Sequence, residues 1–123
     1  MLSGMMLDNG LALLAAELVK AGHEAVIFDY NTVSTVERIA REGKEAFVRF
    51  VVDELAGFVR ERKVSCIGFK LYANGFADSM RIAHALRRRF PDLGFVAGGP
   101  QVGWFGEAIF AYAQSVFGED VFD

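Results

Sequence analysis

The chain of 123 residues has a single cysteine, Cys66. A disulfide framework and a multi-cysteine metal or cluster site are therefore excluded within it. A lone cysteine inside an apolar run reads instead as a small buried core residue. No apolar run approaches the ~20 residues that a membrane-spanning helix needs, and no basic-then-apolar leader opens the chain. It reads as cytoplasmic, with no membrane partner. Charge is short of a signal too: 13 Lys and Arg against 16 Asp and Glu leave a net −3, which gives no general pull toward nucleic acid or anionic membrane. The one basic cluster, Arg87-Arg88-Arg89, falls at the end of a predicted helix, where solvated cations complement the negative end of the dipole.

What is present is apolar and alternating. A hydrophobic content of 53% against 24% charged residues fits a well-buried α/β chain, and the length suits one domain rather than two. Met1 to Met6 reads as loop or as the tail of a first strand. Asp8 or Asn9 can cap a helix in which Leu11, Leu14, Ala15, Leu18 and Val19 form one apolar face, closed by Gly22. Ala25 to Phe28 reads as a buried strand ending in Asp29, Tyr30 and Asn31. Ser34 and Glu37 have capping-box spacing, so a helix is expected to start there. Gly43 divides that region, and the second piece, about Lys44 to Arg62, carries Phe47, Phe50, Val51, Leu55 and Phe58 as a stripe. Val64 to Leu71 reads as a strand. A helix from about Phe76 to Phe90 follows, turning Met80, Ala83, Leu86 and Phe90 inward until Pro91 stops it. Leu93 to Ala97 reads as a further strand and Glu107 to Val116 as the last helix. Glu119 to Asp123 reads as the approach to one more strand.

Short runs rich in Val, Ile and Phe, without strict alternation, predict strands buried on both faces, which belong to parallel sheets. Strand and helix alternate, so the expected fold is α/β: a flavodoxin-like (Rossmann-like) three-layer sandwich with a parallel sheet and right-handed crossovers. Both ends read as clipped, which predicts exposed sheet edges and pairing between chains, a homodimer. Ligands of open parallel sheets gather beyond the carboxyl ends of the strands. That rule sets Lys70, Leu71, Tyr72, Ala73 and Asn74 on one rim with Gly98, Gly99, Pro100 and Gln101. Gly98 and Gly99 either open the main chain to a large ligand or simply turn the chain with Pro100.

Familiar signatures fail on that rim. No G-x-G-x-x-G follows a strand, and no G-x-x-x-x-G-K-[ST] occurs. Lys70 or Leu71 stands where a phosphoacceptor domain would carry aspartate. His23 falls at the opposite edge of the sheet and His84 in mid-helix. Both read as structural or solvent-facing, so no Ser-His-Asp or Cys-His group assembles. Of the carboxylates, Asp8 and Asp29 are expected to reach the rim. Tyr72, Trp104 and Phe105 would cover a flat ligand or pack against a neighbouring domain.

The run Gly10 to Asn31, GLALLAAELVKAGHEAVIFDYN, and the run from Val64 to Val102, VSCIGFKLYANGFADSMRIAHALRRRFPDLGFVAGGPQV, together resemble the cobalamin (vitamin B12)-binding domain that precedes the catalytic barrel in many radical S-adenosylmethionine enzymes. The marks are Ala21-Gly-His-Glu24, Asp29-Tyr30-Asn31, and Phe90-Pro-Asp-Leu93 leading to Gly98-Gly-Pro100. The resemblance implies one cobalamin-binding-like domain over residues 1–123, the N-terminal fragment of a longer protein with the radical SAM domain in cis. It implies the nucleotide tail of cobalamin against Gly98, Gly99, Pro100 and Gln101. Lys70, Leu71, Tyr72 and Asn74 would lie beside the tail or corrin, and Asp8, Asn9 and Gly10 under the corrin face.

Two departures from the family pattern refine this. Only Asp8-Asn9-Gly10 stand where some relatives carry D-x-H-x-x-G, which implies base-off binding without a histidine ligand. Lys70 replaces a frequent serine. The Cys-x-x-x-Cys-x-x-Cys triplet is missing, so S-adenosylmethionine and the 4Fe-4S cluster would belong to the catalytic domain beyond this chain. A methyltransferase or a ring-forming, tetrapyrrole-type cyclase is the implied parent. Two other readings stand beside it: a degenerate fold serving as an interaction scaffold, anchored by Trp104 and Phe105, and an unrelated flavin or nucleotide binder.

Overall fold

Five helices and two strands follow one another along the described residues, 9–73 and 75–123 of the computed structural model. The chain divides at Gly43 into two compact units, Met1–Gly43 and Lys44–Asp123.

In the first unit, α1 (Asn9–Lys20) ends as its glycine predicts. Gly22 takes φ +91°, and the N–H groups of Gly22 and His23 donate to the Val19 and Leu18 carbonyls at 3.0 Å each, a left-handed cap. Three of its leucines, Leu13, Leu14 and Leu18, are exposed. Residues 23–31 are irregular, where the sequence predicts a strand over Ala25 to Phe28. A strand exists only as a member of a ladder, and the one ladder among the described residues lies in the second unit. Helix α2 (Val33–Glu42) starts earlier than the Ser34-Glu37 box implies. Thr32 is its cap, its Oγ1 accepting from the Thr35 N–H at 3.2 Å.

In the second unit, α3 (Lys44–Glu61) buries Phe47, Val48, Val51, Val52 and Ala56, a stripe turned slightly from the expected one. Phe50, Leu55 and Phe58 are half-buried. Helix α4 (Phe76–Arg89) packs beside it and buries Met80, Ile82, Ala83 and Leu86. Each fully buried side chain of this size stabilises by about 1.5–3 kcal/mol. Glu45 pairs with Arg81, and Asp53 with Arg89 at 3.2 Å. Eight residues separate the pairs on each helix, in the same order, so α3 and α4 run side by side in one direction.

Strands β1 (Cys66–Lys70) and β2 (Gly94–Gly98) pair in parallel, from Cys66↔Gly94 to Lys70↔Gly98. This is a mixed α/β fold with a parallel pair. One face of the pair is core: Phe95 is fully buried, stacks with Phe69 at 6.4 Å, and takes the Arg87 guanidinium over its ring. The other face departs from the expectation of strands buried on both sides, since Cys66, Gly68 and Val96 are exposed. Cys66 is thus no core residue: its position in the alternation turns it to the open face.

Helix α5 (Pro100–Phe117) starts about two turns before its predicted Glu107. Pro100 lacks the N–H that the first turn would leave unpaired, so it suits that position. The helix kinks at Phe105 (φ −135°, ψ 31°), between Gly103 and Gly106.

Candidate cofactor site

The in-register pairing delivers both strand ends to one place, with Lys70 directly beside Gly98. Two backbone bonds tie the loops that follow: the Leu71 N–H donates to the Gly98 carbonyl at 2.8 Å, and the Gln101 N–H to the Leu71 carbonyl at 3.3 Å. Leu71 itself is fully buried, so this rim is anchored in the core.

The two glycines play different parts. Gly99 has φ +94° and ψ −177°, a region open essentially only to glycine. A Cβ there would lie 2.9 Å from Lys70 Cγ, 3.0 Å from the Leu71 carbonyl oxygen and 3.2 Å from the Leu71 nitrogen. The space beside Gly99 is therefore filled by the chain itself, by the Lys70 stem and the Leu71 main chain. At Gly98 a Cβ would meet nothing within 4 Å. The side-chain-poor shelf expected across both residues is open at Gly98 and covered at Gly99. Lys70 carries its ammonium on to the Tyr72 ring, 5.3 Å from the centroid, a cation–π contact.

Next to the rim, Phe76, Gln101, Phe105, Ala108, Ile109 and Tyr112 line a cleft of about 280 Å³. Phe76 and Tyr112 meet edge to face at 5.0 Å. Of these, the sequence singles out Gln101 as a rim residue and Phe105 as a cover for a flat ligand or a contact with a neighbouring domain. Phe105, where the helix kinks, is one of its walls, and the kink leaves no periodic signal in the sequence. Trp104, on the same segment, is 81% exposed.

Asp8 and Asn74 lie outside the described residues. Asn9 and Gly10 form the first turn of α1, and Asp29 caps a local turn by accepting the Asn31 N–H at 2.8 Å; all three belong to the first unit. Pro100 is exposed at the start of α5. His84 is structural, with Nε2 2.7 Å from Glu119 Oε1 and its ring stacked on Phe117 at 4.2 Å. Arg87, Arg88 and Arg89 do more than ease a helix dipole, for each pairs with a distant carboxylate. Among the described residues, no group of three His, Cys, Asp or Glu side chains converges to hold a metal ion, and no helix is long and apolar enough to cross a membrane.

Comparisons of the chain with protein families, with curated proteins and with solved structures gave no match.

Proposed function

We propose that the chain is a cobalamin-binding module of flavodoxin-like, three-layer design. It would serve a radical S-adenosylmethionine enzyme, a methyltransferase or ring-forming cyclase, whose catalytic barrel lies outside this chain. The supporting observation is the open main chain at Gly98, beside Lys70, at the carboxyl end of a parallel pair, where ligands of open α/β sheets gather.

The donor set suits the nucleotide tail of this cofactor. Gly98 lets a bulky group approach the backbone. The Lys70 ammonium is a compact charge for the tail's phosphodiester. The aromatic cleft beyond Gln101 offers apolar walls and one amide, the usual mixture in cofactor sites. Bound cobalamin would supply cobalt-centred group transfer, while the protein orients the group and limits water around it. Mixing the protein with hydroxocobalamin and desalting tests the reading: corrin absorbance should stay with the protein, and its complete loss would overturn the proposal.

The second reading, an interaction scaffold, draws on the exposure of Trp104 and Phe105, residues of the kind that anchor interfaces. A full-length enzyme that turns over normally without cobalamin would favour it.

A further inference from the structure

The outer edge of β2 is closed by residues 119–123. The Asp123 N–H donates to the Phe95 carbonyl at 2.8 Å. In return, the Phe95 N–H donates to Asp123 Oδ2 at 2.8 Å. A regular parallel strand would offer a main-chain carbonyl there; this segment offers a carboxylate. Val121 and Phe122 are buried, and Phe122 meets Phe69 edge to face at 5.9 Å.

Side chains of α4 match the segment charge for charge. Arg87 forks onto both Asp123 oxygens at 2.8 and 2.9 Å. Glu119 Oε1 takes Arg88 Nη1 at 2.9 Å and His84 Nε2 at 2.7 Å. The segment departs from α5 through Gly118, at φ +76°, and Gln114 Nε2 ties Asp120 back to that helix at 2.9 Å. The contacts to β2 and α4 need only the sequence of the segment, whichever chain supplies it.

We propose that the β2 edge, with His84, Arg87 and Arg88, is a seat for an extended acidic segment. Residues 119–123 of the same chain fill it, and the same residues of a second copy can exchange into it. Exchange by rotation at Gly118 keeps every contact to the seat and gives a strand-swapped dimer. In cis the segment has an effective concentration in the millimolar range, so dilute protein is closed on itself. This inference does not depend on the cofactor reading.

Two charge reversals test it. Arg88→Glu reverses the seat, and Glu119→Lys reverses the segment; both side chains are well exposed, at 67% and 43%, so both chains should fold, as circular dichroism would verify. Each variant alone sets like charges against each other. When mixed, the reversed segment of one finds the reversed seat of the other. Light scattering after size exclusion should show the dimer fraction rise about tenfold over either variant alone, the size of one charge-assisted contact. Folded variants whose mixture behaves as the sum of its parts would overturn the proposal. Should either variant fail to fold, Gly118→Val, which disfavours the left-handed turn needed for closure in cis, decides the matter. It should shift concentrated protein toward dimer, and an unshifted, folded monomer would overturn the exchange.

Discussion

Replacing Gly99 by alanine should be among the most damaging single changes in the second unit. Two costs combine. The backbone at φ +94° and ψ −177° is held in a region that costs a non-glycine residue about 1–3 kcal/mol. The added Cβ would also stand 3.0 Å from the Leu71 oxygen and 3.2 Å from its nitrogen. Those are main-chain atoms fixed by bonds to Gly98 and Gln101, and overpacking of this kind costs a further ~1–3 kcal/mol. The sum, about 2–6 kcal/mol, would lower a urea midpoint by roughly 1–3 M at the slopes usual for small proteins. Gly98→Ala is the control: nothing lies within 4 Å of its Cβ and its φ is not positive, so the stability change should stay within about 0.5 kcal/mol. Urea unfolding of both variants, followed by circular dichroism, makes the comparison. A Gly99→Ala protein as stable as the parent, or a Gly98→Ala protein equally damaged, would refute the assignment of one glycine to packing and the other to open space.

Three further outcomes follow from single contacts. Thr32→Ala removes the α2 cap and should cost about 1 kcal/mol, with the loss restored by Thr32→Ser in the same urea assay. Asp123 is held down to about 2 from the usual 3.8 by the Arg87 fork and the Phe95 amide; because its folded value is depressed, its contribution is complete above pH 3.8 and lost as pH falls toward 2. An NMR titration of the Asp123 carboxyl should find its midpoint near 2, and a midpoint at the ordinary value would contradict the fork. Trp104→Ala, at a side chain 81% exposed, should leave stability within about 0.5 kcal/mol; a loss of affinity for a neighbouring catalytic domain in a pull-down would then assign that ring to an interface, and unchanged affinity would remove it from one.

Where local signals agreed, the sequence was enough. Gly22 and Gly43 end helices because each takes a positive φ, and the apolar periods of α1, α3 and α4 place those helices to within a residue or two. Both strand ends fell where the Lys70 and Gly98 loops begin, so the rim was legible. Features set by distant partners were not. Ala25 to Phe28 has strand composition, yet composition supplies no ladder. Cys66 sits in an apolar run, but its exposure depends on what covers a sheet face. Gly-Gly-Pro reads equally as a plain turn and as open main chain for a ligand, and neither reading shows that a helix starts at Pro100. The role of Gly99 rests on Lys70 and Leu71, almost thirty residues earlier. Similarly, the arginines of α4 show only a helix end until Glu119 and Asp123 are folded onto them.

The cofactor reading is tested most directly by titrating hydroxocobalamin into the parent protein and into Gly98→Val while following the corrin spectrum. A saturable spectral change in the parent, weakened or abolished in a variant that remains folded, is the predicted result. No saturable change in the parent, or equal binding by both proteins, would contradict a cofactor tail lodged against the open main chain at Gly98.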